Sequence, residues 1–338
     1  MNNNKLSCRF LRIVSAIVCV LLLSLPLVAC IGGGNDSGSS SGGGKEEENY
    51  ADVVIFMGQS NMAGRGEAKD SVICEKGHGY EFRAVDDPTK LYDLKEPFGA
   101  TENNDALADL NSLTQDGKKS GDMVAAFCEG YYEKTGRPVV GISASVGGTS
   151  VKLWVPGTSF YEESRRRLTA CIDFLVADGT FKVGNVFMMW CQGESNPTTW
   201  KNGNGSYDYF GQLKSIVTGL KTLDNGYGVQ KCLIVTPSEY TNGELLAVKN
   251  DLVNHIIDWT LADDDFLLAS KKFRNVPTNM RADPHFHQGI YNVTGYDAAV
   301  NTAYYLKTGK QPDCKEFILG EDVTLAEKFG ISPEYTSM

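Results

Sequence analysis

Histidine is scarce in this sequence: 338 residues carry four, so each can be weighed separately. No CxxC pair and no cluster of Cys with His occurs, so the spacing of a zinc site is absent. Positive charge is also in deficit. Lys and Arg number 32 against 42 Asp and Glu, a net charge of −10, and three of the cations (Lys5, Arg9, Arg12) stand at the very start. A body this acidic lacks the basic footprint that phosphate backbones need, which argues against nucleic acid as a partner. There is no internal repeat, and no apolar run reaches the roughly 20 residues of a membrane-spanning helix. The composition, 42% apolar and 22% charged, is that of a globular chain and not of a collagen-like, coiled-coil or disordered one.

What is present begins with an address. Lys5, Arg9 and Arg12 precede an apolar run from Ile13 to Ala29, broken only by Ser15, Ser24 and Pro26. A basic segment followed by an apolar core and small residues describes a secretory signal. The run ends Leu27-Val28-Ala29-Cys30, which resembles the bacterial lipoprotein signal, in which Cys30 is lipidated and becomes the new N-terminus. Residues 30–49 are then a tether: Gly32 to Gly44 are almost wholly Gly, Ser, Asn and Asp, and Glu46 to Glu48 follow. Such a stretch buries too little apolar surface to fold. The expectation is a globular head, residues 50–338, held just off a membrane by its N-terminal lipid.

Of nine Cys, Cys8 and Cys19 fall in the leader and Cys30 is the lipidation candidate. Export permits disulfides among the remaining six, but several of these stand in apolar stretches (Phe127-Cys128, Trp190-Cys191, Cys232-Leu233), where buried free thiols are the commoner outcome. At most one or two disulfides are expected, and no metal.

From Ala51 onward short apolar runs alternate with helix-length segments. The runs Val53 to Met57, Val139 to Ala144, Val186 to Trp190, Cys232 to Thr236 and Phe266 to Ala269 read as strands buried on both faces. Helical spacing covers Met123 to Lys134, Tyr161 to Val176, Tyr207 to Leu223, Leu245 to Leu261 and Tyr296 to Lys307. This pattern predicts a parallel sheet with helices on both sides. Between Arg65 and Gly121 the period is lost, and turn residues mix with scattered aromatics. A connection of that length is either a ligand-binding insertion at the carboxyl edge of the sheet or a surface excursion with its own packing.

Four blocks at strand ends carry chemistry. The first strand runs into Gly58-Gln59-Ser60-Asn61-Met62-Ala63-Gly64. A Ser leaving a strand into a Gly-bracketed turn is placed as a nucleophile, or else as a helix cap. The second strand runs into Val146-Gly147-Gly148-Thr149-Ser150, where paired glycines let a ligand approach backbone N–H groups. The third ends Trp190-Cys191-Gln192-Gly193-Glu194-Ser195-Asn196, offering a side-chain amide to a developing oxyanion and a carboxylate to orient a neighbour. The fourth, Asp283-Pro284-His285-Phe286-His287-Gln288-Gly289, holds two of the four His beside a carboxylate, so Ser, Asp and His follow in that chain order. His78 and His255 fall in the irregular stretch and in a predicted helix, and read as solvent-facing or structural.

In this order and spacing, over residues 52–306, the blocks resemble the SGNH hydrolase superfamily, specifically its sialate O-acetylesterase and acetylxylan esterase-like branch. The strings that carry the resemblance are GQSNM at Ser60, VGGTS at Gly147, WCQGES at Gln192 and HFHQGIYNVTG at His285. It implies a three-layer α/β/α sandwich around a central, mostly parallel five-stranded sheet, the SGNH or flavodoxin-like arrangement. It implies Ser60 as nucleophile, His285 as base, and an oxyanion hole formed by Ser60, Gly147 and Gln192, with Gln59, Asn61, Gly148, Glu194 and His287 around them. His285-Phe286 lies ten residues before Gly295, the spacing that selects His285 over His287. The family's Asp three residues before the His is absent, since that position is Ala282. Asp283 is the nearest substitute and Glu194 another. The implied activity is removal of acetyl groups from sugar hydroxyls on sialic acid, xylan or another acetylated glycan, at a bacterial cell surface or periplasmic face, with no cofactor. Two alternatives stay open: a glycan-binding lipoprotein that has lost turnover, and a lipase or thioesterase of the same fold.

Overall fold

In the computed structural model the described residues are 49–102, 119–196, 208–239, 246–282 and 284–322, all within one compact unit, Glu47–Met338. The leader, Cys30 and all of the tether before Asn49 lie outside them, as does Asp283.

Strand β1 (Tyr50–Gly58) is buried almost throughout, and its alternation sorts the core into two layers. Val53, Ile55 and Met57 point into one apolar cluster, Val54 and Phe56 into the other. A strand covered on both faces needs apolar residues at every position, which is why it reads as an unbroken run. On the first face pack α3 (Ser159–Asp178), α4 (Tyr209–Leu220) and α5 (Leu246–Ala262), through residues such as Leu168, Ile172, Ile216 and Ile256. On the second pack α2 (Val124–Thr135) and α6 (Gln288–Thr308), through Phe127, Tyr131, Ile290 and Tyr291. Full burial of side chains this size stabilises the fold by about 1.5–3 kcal/mol each.

The sheet has seven strands, in the order β3-β2-β4-β1-β5-β6-β7. Five are the expected ones: β1, β4 (Val139–Ser145), β5 (Lys182–Cys191), β6 (Lys231–Val235) and β7 (Phe266–Ser270), all parallel. The other two correct the five-strand expectation. They form a hairpin inside the stretch that reads as irregular, β2 (Gly79–Arg83) parallel to β4 and β3 (Asp87–Asp93) antiparallel on the outer edge. β3 carries Pro88, Lys90 and Asp87 and is largely exposed. These are the residues that keep an edge strand from pairing with another chain, and they remove the apolar period that marks a strand.

A second correction concerns α6, which starts at Gln288 and not near Tyr296. Its first turns bury Gln288, Asn292, Thr294 and Gly295 among Ile290, Tyr291 and Val293, so polar residues interrupt the apolar stripe that would announce them. At Gly295 a Cβ would stand 2.1 Å from the Met123 carbonyl oxygen, so glycine is what allows α6 to pack this closely on the chain entering α2. None of Cys74, Cys128, Cys171, Cys191, Cys232 and Cys314 is in a disulfide.

Candidate active site

The carboxyl ends of β4, β1 and β5 meet where successive connections leave the sheet on opposite sides, the position at which open α/β sheets bind ligands. Gly58, the last residue of β1, has φ of 133°, and a Cβ there would lie 2.1 Å from the Cys191 carbonyl oxygen. That close approach lets the chain turn at once into the short helix α1 (Ser60–Ala63). Ser60 is its first helical residue, and the capping position belongs to Gln59, whose side chain makes no capping bond.

His285 arrives from the far end of the chain. It lies on β9 (His285–Phe286), which pairs with β8 (Arg281–Ala282) in a two-stranded ribbon. Phe286 points inward and stacks on Phe273 at 4.5 Å between centroids, which anchors the ribbon. His285 projects from it with Nε2 2.9 Å from Ser60 Oγ. His287, two residues on, caps α6, with Nδ1 3.8 Å from Glu67 Oε1.

The loop after β4 brings Gly147 against the nucleophile. A Cβ on Gly147 would stand 3.4 Å from Ser60 Cβ and 2.6 Å from Arg65 Nη2. The loop is closed by Thr149 Oγ1, which donates to the Val146 carbonyl at 2.8 Å and accepts from Trp154 Nε1 at 3.1 Å. Gly148, next along, has φ of 72° and is exposed. The buried N–H groups of Ser60 and Gly147 have no acceptor among the described residues. Buried backbone donors are rarely left so, and two of them beside a nucleophile suit an incoming carbonyl oxygen.

Behind this loop lies Lys119, a buried residue from the stretch without period. Its Nζ donates to the carbonyl of Ser145 at 2.9 Å and to its Oγ at 2.6 Å. Burial pushes the Lys119 amine down to about 7, against the opposing pull of Asp122.

The third block supplies a polar floor. Glu194 is buried, its Oε2 accepting from Gln59 Nε2 at 2.6 Å and its Oε1 from Asn61 Nδ2 at 2.6 Å and the Ser238 N–H at 3.1 Å. Burial raises the Glu194 carboxyl above its ordinary value, with the Asn61 and Ser238 hydrogen bonds opposing. Asn61 also donates to the Pro284 carbonyl at 3.0 Å and accepts from the Tyr291 hydroxyl at 2.7 Å.

Gln192 Nε2 is surrounded by Asn196 Oδ1 at 2.5 Å, the Thr149 carbonyl at 2.9 Å and Gln59 Oε1 at 3.3 Å, while its own Oε1 is buried without a partner among the described residues. Three acceptors thus compete for two hydrogens. The Gln192 backbone is fixed from below by the Tyr209 hydroxyl, which donates to its carbonyl at 2.6 Å.

Ser60, Gly147, Gln192, Gln59, Asn61, Glu194 and His285 are therefore brought together, and His287 occupies the N-cap of α6 beside Glu67. Thr149, Asn196, Tyr291, Lys119 and Arg65 complete the neighbourhood. Thr149, Asn196 and Tyr291 stand in the motif blocks without a role that the sequence pattern assigns, and nothing in that pattern marks Lys119 or Arg65. Away from the site, Glu75, His78 and Glu129 bring three metal-ligand atoms within 4.8 Å of one another. His78 Nδ1 is already 2.9 Å from Glu129 Oε2, and its ring stacks on Tyr132.

Comparison with known proteins bears on the family and the fold. A family model described as carbohydrate esterase, sialic acid-specific acetylesterase, matches residues 50–229, more than half of the chain. The crystal structure of NanS superposes with a TM-score of 0.54 at 13% identity, covering 78% of this chain and 99% of that one. A protein from Arabidopsis thaliana gives 0.52 at 16% identity, covering 77% and 99%. At such identities the likeness is one of fold. No curated protein matches the sequence.

Proposed function

The chain belongs to the carbohydrate esterase family of sialic acid-specific acetylesterases, and from that premise we propose that it is an exported, lipid-anchored O-acetylesterase acting on acetylated sugars through Ser60 and His285. The observation that carries the reading is the 2.9 Å contact between His285 Nε2 and Ser60 Oγ, made beside the N–H groups of Ser60 and Gly147, which lack an acceptor among the described residues.

The chemistry follows from those positions. His285 Nε2 takes the Ser60 proton as Oγ bonds to the acetyl carbon. Negative charge collects on the former carbonyl oxygen, which faces the Ser60 and Gly147 N–H groups. Gln192 is the third donor: its longest contact, 3.3 Å to Gln59 Oε1, is the one an oxyanion can replace. Collapse breaks the bond to the sugar oxygen, which leaves as a hydroxyl with the proton held on His285. Water, deprotonated by the same ring, then adds to the acetyl-enzyme; acetate departs and Ser60 regains its proton. Asp283, two residues before His285 in sequence, is the carboxylate assigned to the second ring nitrogen.

The address rests on the sequence: the leader over 1–29, Cys30 as the lipidated residue and the Gly/Ser tether to 49 support a head displayed on the outer face of a membrane.

The test is acetate release from a panel of O-acetylated glycans by the wild-type protein and Ser60→Ala. Turnover that falls by several orders of magnitude in a variant of unchanged Tm is expected, since a nucleophile facing the cleft contributes little packing. Full activity in a well-folded Ser60→Ala protein would overturn the assignment.

A further inference from the structure

Strand β4 leads into the Gly147 loop, and its two edges are not covered alike. Alternate residues of a strand turn their backbone groups to opposite neighbours. On one side the Val146 N–H donates to the Gly58 carbonyl of β1 at 3.0 Å; on the other the Val139 N–H donates to the His78 carbonyl, just before β2, at 3.2 Å. The pairing with β2 stops at Gly141, opposite Glu81. Ser143 and Ser145, further along on that second side, face an edge that β2 no longer covers.

Two buried cations take its place. Arg167, on α3, donates from Nη1 to the Ser143 carbonyl at 2.6 Å, and it has a carboxylate partner in Glu163 at 3.0 Å. Lys119 Nζ donates to the Ser145 carbonyl at 2.9 Å and to the Ser145 hydroxyl at 2.6 Å, and these two uncharged oxygens are its hydrogen-bond partners among the described residues. Burying an ammonium against neutral acceptors costs stability. A neutral donor would satisfy the same carbonyl at less cost, so cohesion alone does not call for the charge.

Ser145 is two residues from Gly147, whose N–H stands beside the nucleophile. The peptide carrying that N–H is held at its own oxygen by Thr149 Oγ1, 2.8 Å from the Val146 carbonyl, and Val146 is tied to β1 through its N–H. On the open edge, the chain entering this peptide is held by Lys119. We propose that Lys119 is a positioning residue: its ammonium fixes the end of β4 and thereby the aim of the Gly147 N–H at the oxyanion, so that turnover depends on the Lys119 charge. The proposal rests on the acetylesterase reading and adds to it a residue and a control by pH.

Four charged groups act on this amine. Asp122, just before α2, and Glu96, in the segment after β3, favour the ammonium. Arg167 and Arg65 oppose it, and burial, the largest influence, pushes the amine down to about 7. Below that value the bonds to Ser145 are charge-assisted; above it a neutral amine makes weaker ones.

The test compares kcat–pH profiles of wild type and Lys119→Met on p-nitrophenyl acetate from about pH 5.5 to 9, with spontaneous hydrolysis subtracted and Ser60→Ala run alongside. Near pH 6 Lys119→Met should have lost about ten- to a hundredfold in kcat at little changed KM, because small misplacement of an oxyanion donor is costly. As pH rises through about 7 the wild type should fall toward the variant, and the two curves should nearly meet by about pH 9, where both side chains are uncharged. Equal kcat near pH 6 overturns the proposal. So does a constant ratio across the range, which is what lost packing alone would give, and so does a wild-type kcat that stays level from about pH 7 to 9. If Lys119→Met does not fold, Lys119→Arg, whose cation keeps its charge throughout, takes its place. Its kcat should stay level where the wild type falls, and a fall of the same shape overturns the proposal. Full turnover in Ser60→Ala overturns the acetylesterase reading itself, whereas a constant ratio beside an inactive Ser60→Ala overturns only the role of Lys119.

Discussion

The residue that follows the nucleophile is hydrogen-bonded to the residue that precedes the base: Asn61 Nδ2 donates to the Pro284 carbonyl at 3.0 Å. Ser60 and His285 lie 225 positions apart in the chain, and this bond fixes one to the other without using either side chain. Tyr291 holds Asn61 from the opposite side through its hydroxyl.

Asn61→Ala should therefore lower kcat by about ten- to a hundredfold with little change in KM, because small misplacement of reacting groups is costly. It should also cost about 1–3 kcal/mol of stability, since Glu194 and Tyr291 lose a buried partner. Tyr291→Phe removes one bond of the set and should do less of both. Kinetics on p-nitrophenyl acetate alongside urea denaturation separates the two effects. Lost stability with intact kcat would make Asn61 structural only.

The two clustered histidines should differ sharply. His285→Ala should be inactive, whereas His287→Ala, altered at the cap of α6, should keep measurable turnover; the reverse result would transfer the base to His287. Asp283→Asn tests the remaining member. An amide enforces the wrong tautomer and cannot stabilise the imidazolium, so a loss of about 10⁴ in kcat is expected, the scale of the serine-protease precedent. A loss of about tenfold or less would assign the orientation of the ring to another group, such as Glu194.

The central sheet and the four blocks were legible because strands buried on both faces admit only apolar residues, as Val53 to Met57 and Val186 to Trp190 do. The edge hairpin was not, because β3 is exposed and meets solvent with Pro88 and Lys90. The first turns of α6 were hidden for a different reason: Gln288 and Asn292 are buried but satisfy polar partners, Asp122 and Asp70 carbonyls among them. Arg65 is, in the sequence, one residue on the flank of the first motif. That no carboxylate among the described residues pairs with it is a property of the folded chain.

Gln192→Ala should reduce kcat by about 10²–10³, the usual scale for one oxyanion donor, with KM little affected because the contact strengthens as charge develops. The variant also frees the Thr149 carbonyl, which Gln192 Nε2 holds at 2.9 Å. Thr149→Val, which loosens the same loop by removing its hydroxyl bonds to Val146 and Trp154, serves as the comparison. If the two variants behave alike and the loss appears in KM, Gln192 acts by shaping the loop and not by donating to the oxyanion.

Under the proposed lipid anchoring, Cys30→Ser should move the protein from the membrane fraction to the soluble one without altering its specific activity, since Cys30 precedes the catalytic blocks and the Gly/Ser-rich stretch between them is read as a tether. A single acyl chain binds membranes only marginally, so stable retention reports dual lipidation at this residue. Fractionation of cells expressing each form, with activity measured in both fractions, is the check. A Cys30→Ser protein that stayed membrane-bound would point to an uncleaved leader acting as the anchor.

Stability should depend on pH through Asp297, on α6. Burial pushes its carboxyl up from 3.8 to about 6, with the hydrogen bond from Ser270 Oγ (2.6 Å) opposing. Lys272 also lowers it and Asp322 raises it. Its folded-state value thus lies above its unfolded one, and between about pH 4 and pH 6 the native protein binds more protons at this position than the unfolded chain. Stability from this residue is therefore complete below about pH 4 and is lost as pH rises through about 6; above that, the cost of a buried carboxylate stays constant. Asp297→Asn keeps an oxygen for Ser270 and removes the charge. It should be neutral near pH 4 and stabilising at pH 7, by up to about 3 kcal/mol, since each tenfold change in proton affinity corresponds to about 1.36 kcal/mol. Paired thermal melts of the two proteins across about pH 4 to 8 should show Tm curves that diverge through pH 5 to 6 and then run parallel. Curves that stay superimposed across the range would mean that the Asp297 carboxylate is solvated or paired in the native protein.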